Sequence, residues 1–217
     1  MKTGSGALLI WNDIAPGAEA IFRGWHDDEH IPERVAVPGF LHGRRLFSAN
    51  AAPRWLTFYE ADTASVFSSP AYLARLDSPT PRTVAILPSF RATQRMAGDV
   101  VAAVGEGRGK AVGTTRIWSP GIDADAETLR PLLSATLARP GVVAVAGVAS
   151  DAAGTQRATA ERSLRAPDEA PPDIVLVVEA ASENAIPDLR AETAALFPGA
   201  GRIAADRYAV EFALASA

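Results

Sequence analysis

The chain of 217 residues contains no cysteine and only three histidines. Without cysteine there can be no disulfide, no thiolate nucleophile and no cysteine-ligated zinc or iron–sulfur cluster. No stretch approaches the ~18 uninterrupted apolar residues of a membrane-crossing helix. The N-terminal apolar run ALLIW (7–11) is too short for a secretory signal and ends in Asn12 and Asp13, so a soluble, cytoplasmic chain with no membrane partner is expected. An excess of either charge is also missing. A net charge of −4 and a pI near 5.4 give no field that would gather nucleic acid. GxxxxGK[ST], GxGxxG and GxSxG are absent too, which argues against a phosphate loop, a dinucleotide site and a hydrolase elbow. No cofactor is expected.

Hydrophobic residues are plentiful at 48%, with 21% charged, so a substantial core can form. ALLIWND (7–13) reads as a strand. From Pro16 the period changes: Ala18, Ile21, Phe22 and Trp25 recur at helical spacing, and Pro32 limits the helix. PGFLHGRRLF (38–47) and PRWLTFYEAD (53–62) read as strands, SPAYLARLDS (69–78) as a short helix, and SFRATQRMAGDVV (89–101) as a strand. This β-α-β-β-α-β order is the ferredoxin-like unit.

After the glycine-rich linker GEGRGK (105–110) the pattern returns. GTTRIWSPG (113–121) echoes LLIWNDIAPG, RPGVVAVAGVAS (139–150) echoes VPGFLHGRRLFS, and PDIVLVVEAA (172–181) echoes PRWLTFYEAD. AETLRPLLSATLA (126–138) and ENAIPDLRAETAALF (183–197) read as helices, and RIAADRYAVEFAL (202–214) as the last strand. The expected α+β architecture is therefore two ferredoxin-like repeats, 1–104 and 111–217, packed sheet to sheet as one intrachain barrel with helices outside. The polar, proline-tailed segment 150–172 reads as a loop, with disorder favoured over a role as a lid.

WHDDEHIPER (25–34) gathers two of the three histidines. On a helix His26 and His30 share a face, with Phe22 and Trp25 on or near it. His30 at the edge of an apolar surface is the candidate general base or acid, with Asp27 or Glu33 in helical reach to orient it. The plain alternative is a solvated helix end closed by a local Glu33–Arg34 ion pair. Two histidines four apart also match half of a metal site, but HDDEH carries Asp27 where HExxH has glutamate, and no metal is expected. Candidate binding residues are Trp25, Phe22, Phe40, His42, Arg44, Tyr59 and Tyr72. Strand alternation puts Phe40, His42, Arg44 and Leu46 on one face and Leu41, Arg45 and Phe47 on the other. For Arg44 and Arg45 a solvated role is the simpler reading.

Trp25, Asp27, Glu29, His30, Pro32, Glu33 and Arg34, followed by Pro38-Gly39-Phe40, Tyr59-Glu60 and Ser69-Pro70 with Tyr72, resemble bacterial proteins of the dimeric α+β barrel superfamily related to the ethyl tert-butyl ether degradation family. The resemblance covers residues 7–98. It implies the fold, and a pocket-facing histidine at the position of His30. Relatives carry tyrosine at the position of His26, which weighs against a histidine-pair metal site. The superfamily spans cofactor-independent monooxygenases, lactone isomerases, polyketide cyclases and haem enzymes, so the chemistry transfers poorly. The expectation is a cofactor-independent enzyme on a hydrophobic or aromatic small molecule, working by histidine-centred elimination, isomerisation or cyclisation. A cofactor-free monooxygenase and a non-catalytic binding protein are the alternatives, as a monomer or a homodimer.

Overall fold

The computed structural model describes residues 4–121, 124–155 and 158–217. The first half comprises β1 (Gly6–Ile14), α1 (Glu19–Trp25), a π-helical turn (His26–His30), α2 (Ile31–Val35), β2 (Phe40–Phe47), β3 (Trp55–Ala61), α3 (Pro70–Leu76), α4 (Pro81–Ile86) and β4 (Phe90–Gly105). The second half runs β5 (Ala111–Trp118), α5 (Ala126–Leu137), β6 (Val142–Ser150), two short helices α6 (Ala152–Thr155) and α7 (Ala160–Ser163), β7 (Ile174–Ala180), α8 (Arg190–Leu196) and β8 (Arg202–Ala215).

The eight strands close into one barrel in the order β1-β3-β2-β8-β5-β7-β6-β4. Each half supplies four antiparallel strands, and the halves join edge to edge through β2·β8 and β4·β6. Arg44 faces Ala213 across one seam and Val100 faces Val148 across the other. Both open edges of each four-stranded unit are thus consumed within the chain. Edge pairing with a second copy, which the sequence left open, is not available to these strands.

Alternate residues of the strands fill the lumen: Ala7, Leu9, Trp11, Leu46, Leu56, Phe58, Met96, Val112, Val175 and Tyr208 form one buried cluster. The outer face of the second half is covered by Leu129, Leu133, Leu189 and Phe197 over Val145, Ile174, Leu176 and Val178. On the first half, Ile31, Val35, Phe40, Phe67 and Tyr72 pack over Leu8, Tyr59 and Ala97.

One departure from simple alternation matters for the site. The β2–β3 register shifts between Phe40 and His42: Phe40 faces Ala61, whereas His42 faces Glu60. Leu41 is the extra residue of a bulge. Phe40 therefore lies under the helices with Tyr59, while His42, Arg44 and Leu46 point into the lumen. Gly43 faces Tyr59 beneath the helix, and a Cβ there would come within 2.8 Å of the Tyr59 ring and 2.9 Å of Ile31.

Candidate functional site

The helix expected to start from Pro16 and to be limited by Pro32 runs instead from Glu19 to Val35, because a π turn carries it past Pro32. The Ile31 amide donates to the His26 carbonyl, an i→i+5 bond. Widening the turn shifts the hydrogen-bond register just before Pro32, the residue that has no amide to give and would otherwise kink the helix. It also brings residues four apart almost into line. The His26 and His30 rings stack with centroids 5.3 Å apart and planes 9° apart. Trp25 packs on both rings, at 4.9 Å and 4.2 Å. Its indole N–H donates to the Thr83 hydroxyl over 3.1 Å, and Thr83 in turn donates to Glu29.

These side chains line a narrow cavity between the helices and the outer face of the first sheet. Ile10, Thr57, Tyr59 and Arg95 form its floor, His26, His30 and Arg34 one wall, and Tyr72, Leu76, Leu87 and Phe90 the remainder. Glu161 and Arg165 close it from above. Its volume is about 40 Å³, room for about two or three waters and well below the ~300–1,000 Å³ of small-molecule pockets. Four buried polar atoms gather around it without a hydrogen-bond partner among the described residues: Nδ1 of His26, Nδ1 of His30, Nη1 of Arg34 and the Tyr59 hydroxyl. Unpaired buried polar atoms are costly, and these four gather around one small cavity.

Burial, reinforced by the positive charges of Arg45 and Arg34, holds the His26 imidazole well below its usual pKa. Burial and then Arg34 do the same to His30. Both rings are therefore neutral near neutral pH, each with a lone pair to accept a proton. Burial pushes the Tyr59 hydroxyl up, so it remains a donor. It raises the Glu161 carboxyl as well, against the opposing pull of Arg34.

The predicted site residues separate into three groups. Trp25, His30, Tyr59 and Tyr72 line the cavity together with His26. Phe22 and Phe40 stand behind it: Phe22 packs on His26 at 4.4 Å and Phe40 on Tyr59 at 5.6 Å. His42 and Arg44 lie on the other face of the sheet. There Arg44 makes a two-pronged pair with Glu179 at 3.0 and 2.5 Å, and His42 Nδ1 sits 3.7 Å from Glu60. Burial pushes the His42 pKa down to about 4.

The expected orienting carboxylates are engaged elsewhere. Asp27 pairs with Arg45, and Glu33 is a half-exposed neighbour of Arg34 at 3.9 Å. Neither arginine of β2 is solvated; Arg44 and Arg45 are 1% and 3% exposed. The carboxylate that does reach the cavity is Glu161, paired with Arg34. It belongs to the 150–172 segment, whose described residues fold over the first half and are no disordered loop.

Sequence reasoning also missed α4, which provides Thr83 and is followed directly by Leu87, a residue of the cavity lining. Thr80-Pro81 was the available signal: Thr80 caps the helix, accepting from the Thr83 amide at 3.1 Å, and Pro81 takes the first turn. Among the described residues no group of three or more histidine, aspartate or glutamate side chains is placed to hold a metal ion. A larger groove of about 390 Å³ lies on the second half beside Asp188, Arg190 and Asp206. It is open, Asp188 and Arg190 pair with each other, and none of its lining residues carries an unpartnered buried polar atom.

No protein-family model matches the chain, and no curated protein sequence is significantly similar to it. Solved structures do share its shape. An anthrone oxidase-like protein superposes with a TM-score of 0.64 at 11% identity, over 97% of this chain and 92% of its own. A candidate monooxygenase from Lactobacillus acidophilus gives 0.55 at 8% identity over 98% and 97%. One from Fusobacterium nucleatum gives 0.54 at 12% over 99% and 96%. At such identities the likeness establishes the fold alone: an α+β barrel of tandem ferredoxin-like repeats.

Proposed function

We propose that the chain is an enzyme that removes a proton from an acidic carbon of a hydrophobic or aromatic ketone or phenol, with no bound cofactor. The observation that carries this reading is the stacked, buried, neutral pair His26–His30, which lines the same cavity as Tyr59, the ring nitrogens Nδ1 and the hydroxyl all unpaired. His30 is the general base, and stacking on His26 and Trp25 fixes its ring. As the carbon loses its proton, charge collects on the conjugated oxygen, where the Tyr59 O–H donates. A dry site makes that donation far stronger than it would be in water.

The fate of the resulting carbanion sets the reaction. Reprotonation at another carbon is isomerisation, expulsion of a group is elimination, and attack on a carbonyl is cyclisation. The oxidase-like and monooxygenase neighbours favour a fourth outcome: capture of dioxygen to a hydroperoxide, which loses water to give a ketone. The WHDDEHIPER motif supports kinship with the ethyl tert-butyl ether degradation family at the narrower level.

Deuterium exchange at the methylene of anthrone and of a ring-carboxylated anthrone, followed by NMR under argon, tests the shared first step, with oxygen uptake in air testing the last. His30→Gln is expected to slow exchange by about 100-fold while ligand still binds. Since the base works in its neutral form and its pKa is depressed, the rate should hold from neutral pH downward and fall only well below 6.5. Exchange unchanged by His30→Gln would remove His30 as the base, and exchange no faster than in buffer would leave a binding protein as the reading.

A further inference from the structure

Resting on the reading of this cavity as the substrate site, we infer that the substrate carries an anionic group, a carboxylate or phenolate, that takes the place of Glu161 on Arg34. Arg34 is 1% exposed and Glu161 5%, and the pair joins α2 of the first half to α7 of the second. Glu161 is a stopper in a cavity that in its present state admits only water.

The segment that carries Glu161 is pinned on both sides. Before it, the Thr155 hydroxyl accepts from the Ala97 amide and donates to the Ala97 carbonyl, both at 3.0 Å, and Arg95 holds the Gly154 carbonyl at 2.5 Å. After it, the Glu169 amide reaches the Thr93 carbonyl at 2.7 Å and Gln94 donates to the Glu169 carboxylate at 2.7 Å. Both clamps grip β4. Residues 158–165 can lift between them without disturbing the barrel. Their ties to the first half include the Glu161–Arg34 pair, the packing of Leu164 against the cluster around Phe22 and Trp25, and an exposed bond from the Ala160 amide to Asp77 at 3.0 Å.

Charge then dictates what may enter. A neutral ligand that displaced Glu161 would leave the buried Arg34 with only the longer, partly exposed Glu33 contact at 3.9 Å to offset its charge. An anion replaces one carboxylate with another and leaves the charge balance unchanged. Nη1 of Arg34 makes no hydrogen bond, its nearest carboxylate being Glu33 at 3.9 Å, while Nη2 is used by Glu161, so an incoming carboxylate can be held by both prongs.

The test uses 2-naphthoate and 2-naphthamide, matched in shape and differing in charge, titrated calorimetrically into the full chain and into Glu161→Gln. The acid is expected to bind at least about tenfold more tightly than the amide, and Glu161→Gln to tighten the acid by about a further tenfold, because its competitor has lost its charge. Hydrogen exchange on the unaltered protein should show the amides of 158–165 exchanging faster with naphthoate bound, and those of β4 unchanged. Equal affinity for acid and amide, no binding of either, an unchanged Glu161→Gln, or slower exchange in 158–165 each overturns the proposal. If the acid is selected but His30→Gln leaves deuterium exchange intact, the anion site stands and the base assignment falls. If His30→Gln behaves as proposed without acid selection, the reverse holds.

Discussion

At the scale of single residues, the site depends on a few side chains placed where sequence patterns are least informative. That His26 and His30 share a face was legible, because helical residues four apart lie together, and both line the cavity. The role of Asp27 was not. It lies three residues from His30 along the helix, yet Arg45 approaches from the strand below and takes its carboxylate; a contact between residues 18 apart leaves no periodic trace. Gly43 makes the same point from the backbone. It looks like a gap in a strand, but the Tyr59 ring and Ile31 occupy the space its side chain would need. Gly43→Ala should push Tyr59 off the sheet and cost about 1–3 kcal/mol of stability, read as a lowered Tm, with weakened ligand binding at the displaced hydroxyl.

At the scale of elements, the strands were read well and the irregular pieces poorly. Alternation and the repeated Pro-Gly and Glu-Ala signatures located all eight strands, since a half-buried sheet imposes a period of two regardless of its neighbours. The bulge at Leu41 escaped because one extra residue inverts the faces downstream without altering composition. It is why Phe40 parts from His42. The π turn escaped for a related reason. Pro32 signals trouble for a regular helix, but whether the chain breaks, kinks or widens depends on what packs against it. Widening keeps Trp25, His26 and His30 stacked over the sheet. The 150–172 segment was misjudged because its polar composition is that of a loop. What orders it are distant partners on β4 and α2, which no local pattern encodes.

At the scale of the molecule, duplication predicted the barrel, and closure explains its chemistry. Two four-stranded units sealed at both edges create a lumen dry enough to bury Arg44, Glu60 and Glu179 together. Glu60 and Glu179 stand at matching places in the two repeats, and Arg44 pairs with Glu179 across the lumen. Residues of the linker finish the cap, Arg108 on Glu60 at 2.8 Å and the Gly109 amide on Glu179 at 2.8 Å. Arg44→Met, by removing the arginine paired with the buried Glu179 carboxylate, should cost about 3–5 kcal/mol, seen as a lower denaturant midpoint. The site is likewise a product of both halves: the first supplies the histidines and Tyr59, and the second closes over them with Glu161. Burial, with the positive charges of Arg34 and Arg45 nearby, keeps the histidines neutral. The direct test is an NMR titration of the imidazole protons in the intact protein. His26 and His30 should stay unprotonated well below pH 6.5, with His42 titrating near 4. A midpoint for His30 at or above 6.5 would mean a solvated ring, an open site and no poised base, contradicting the account.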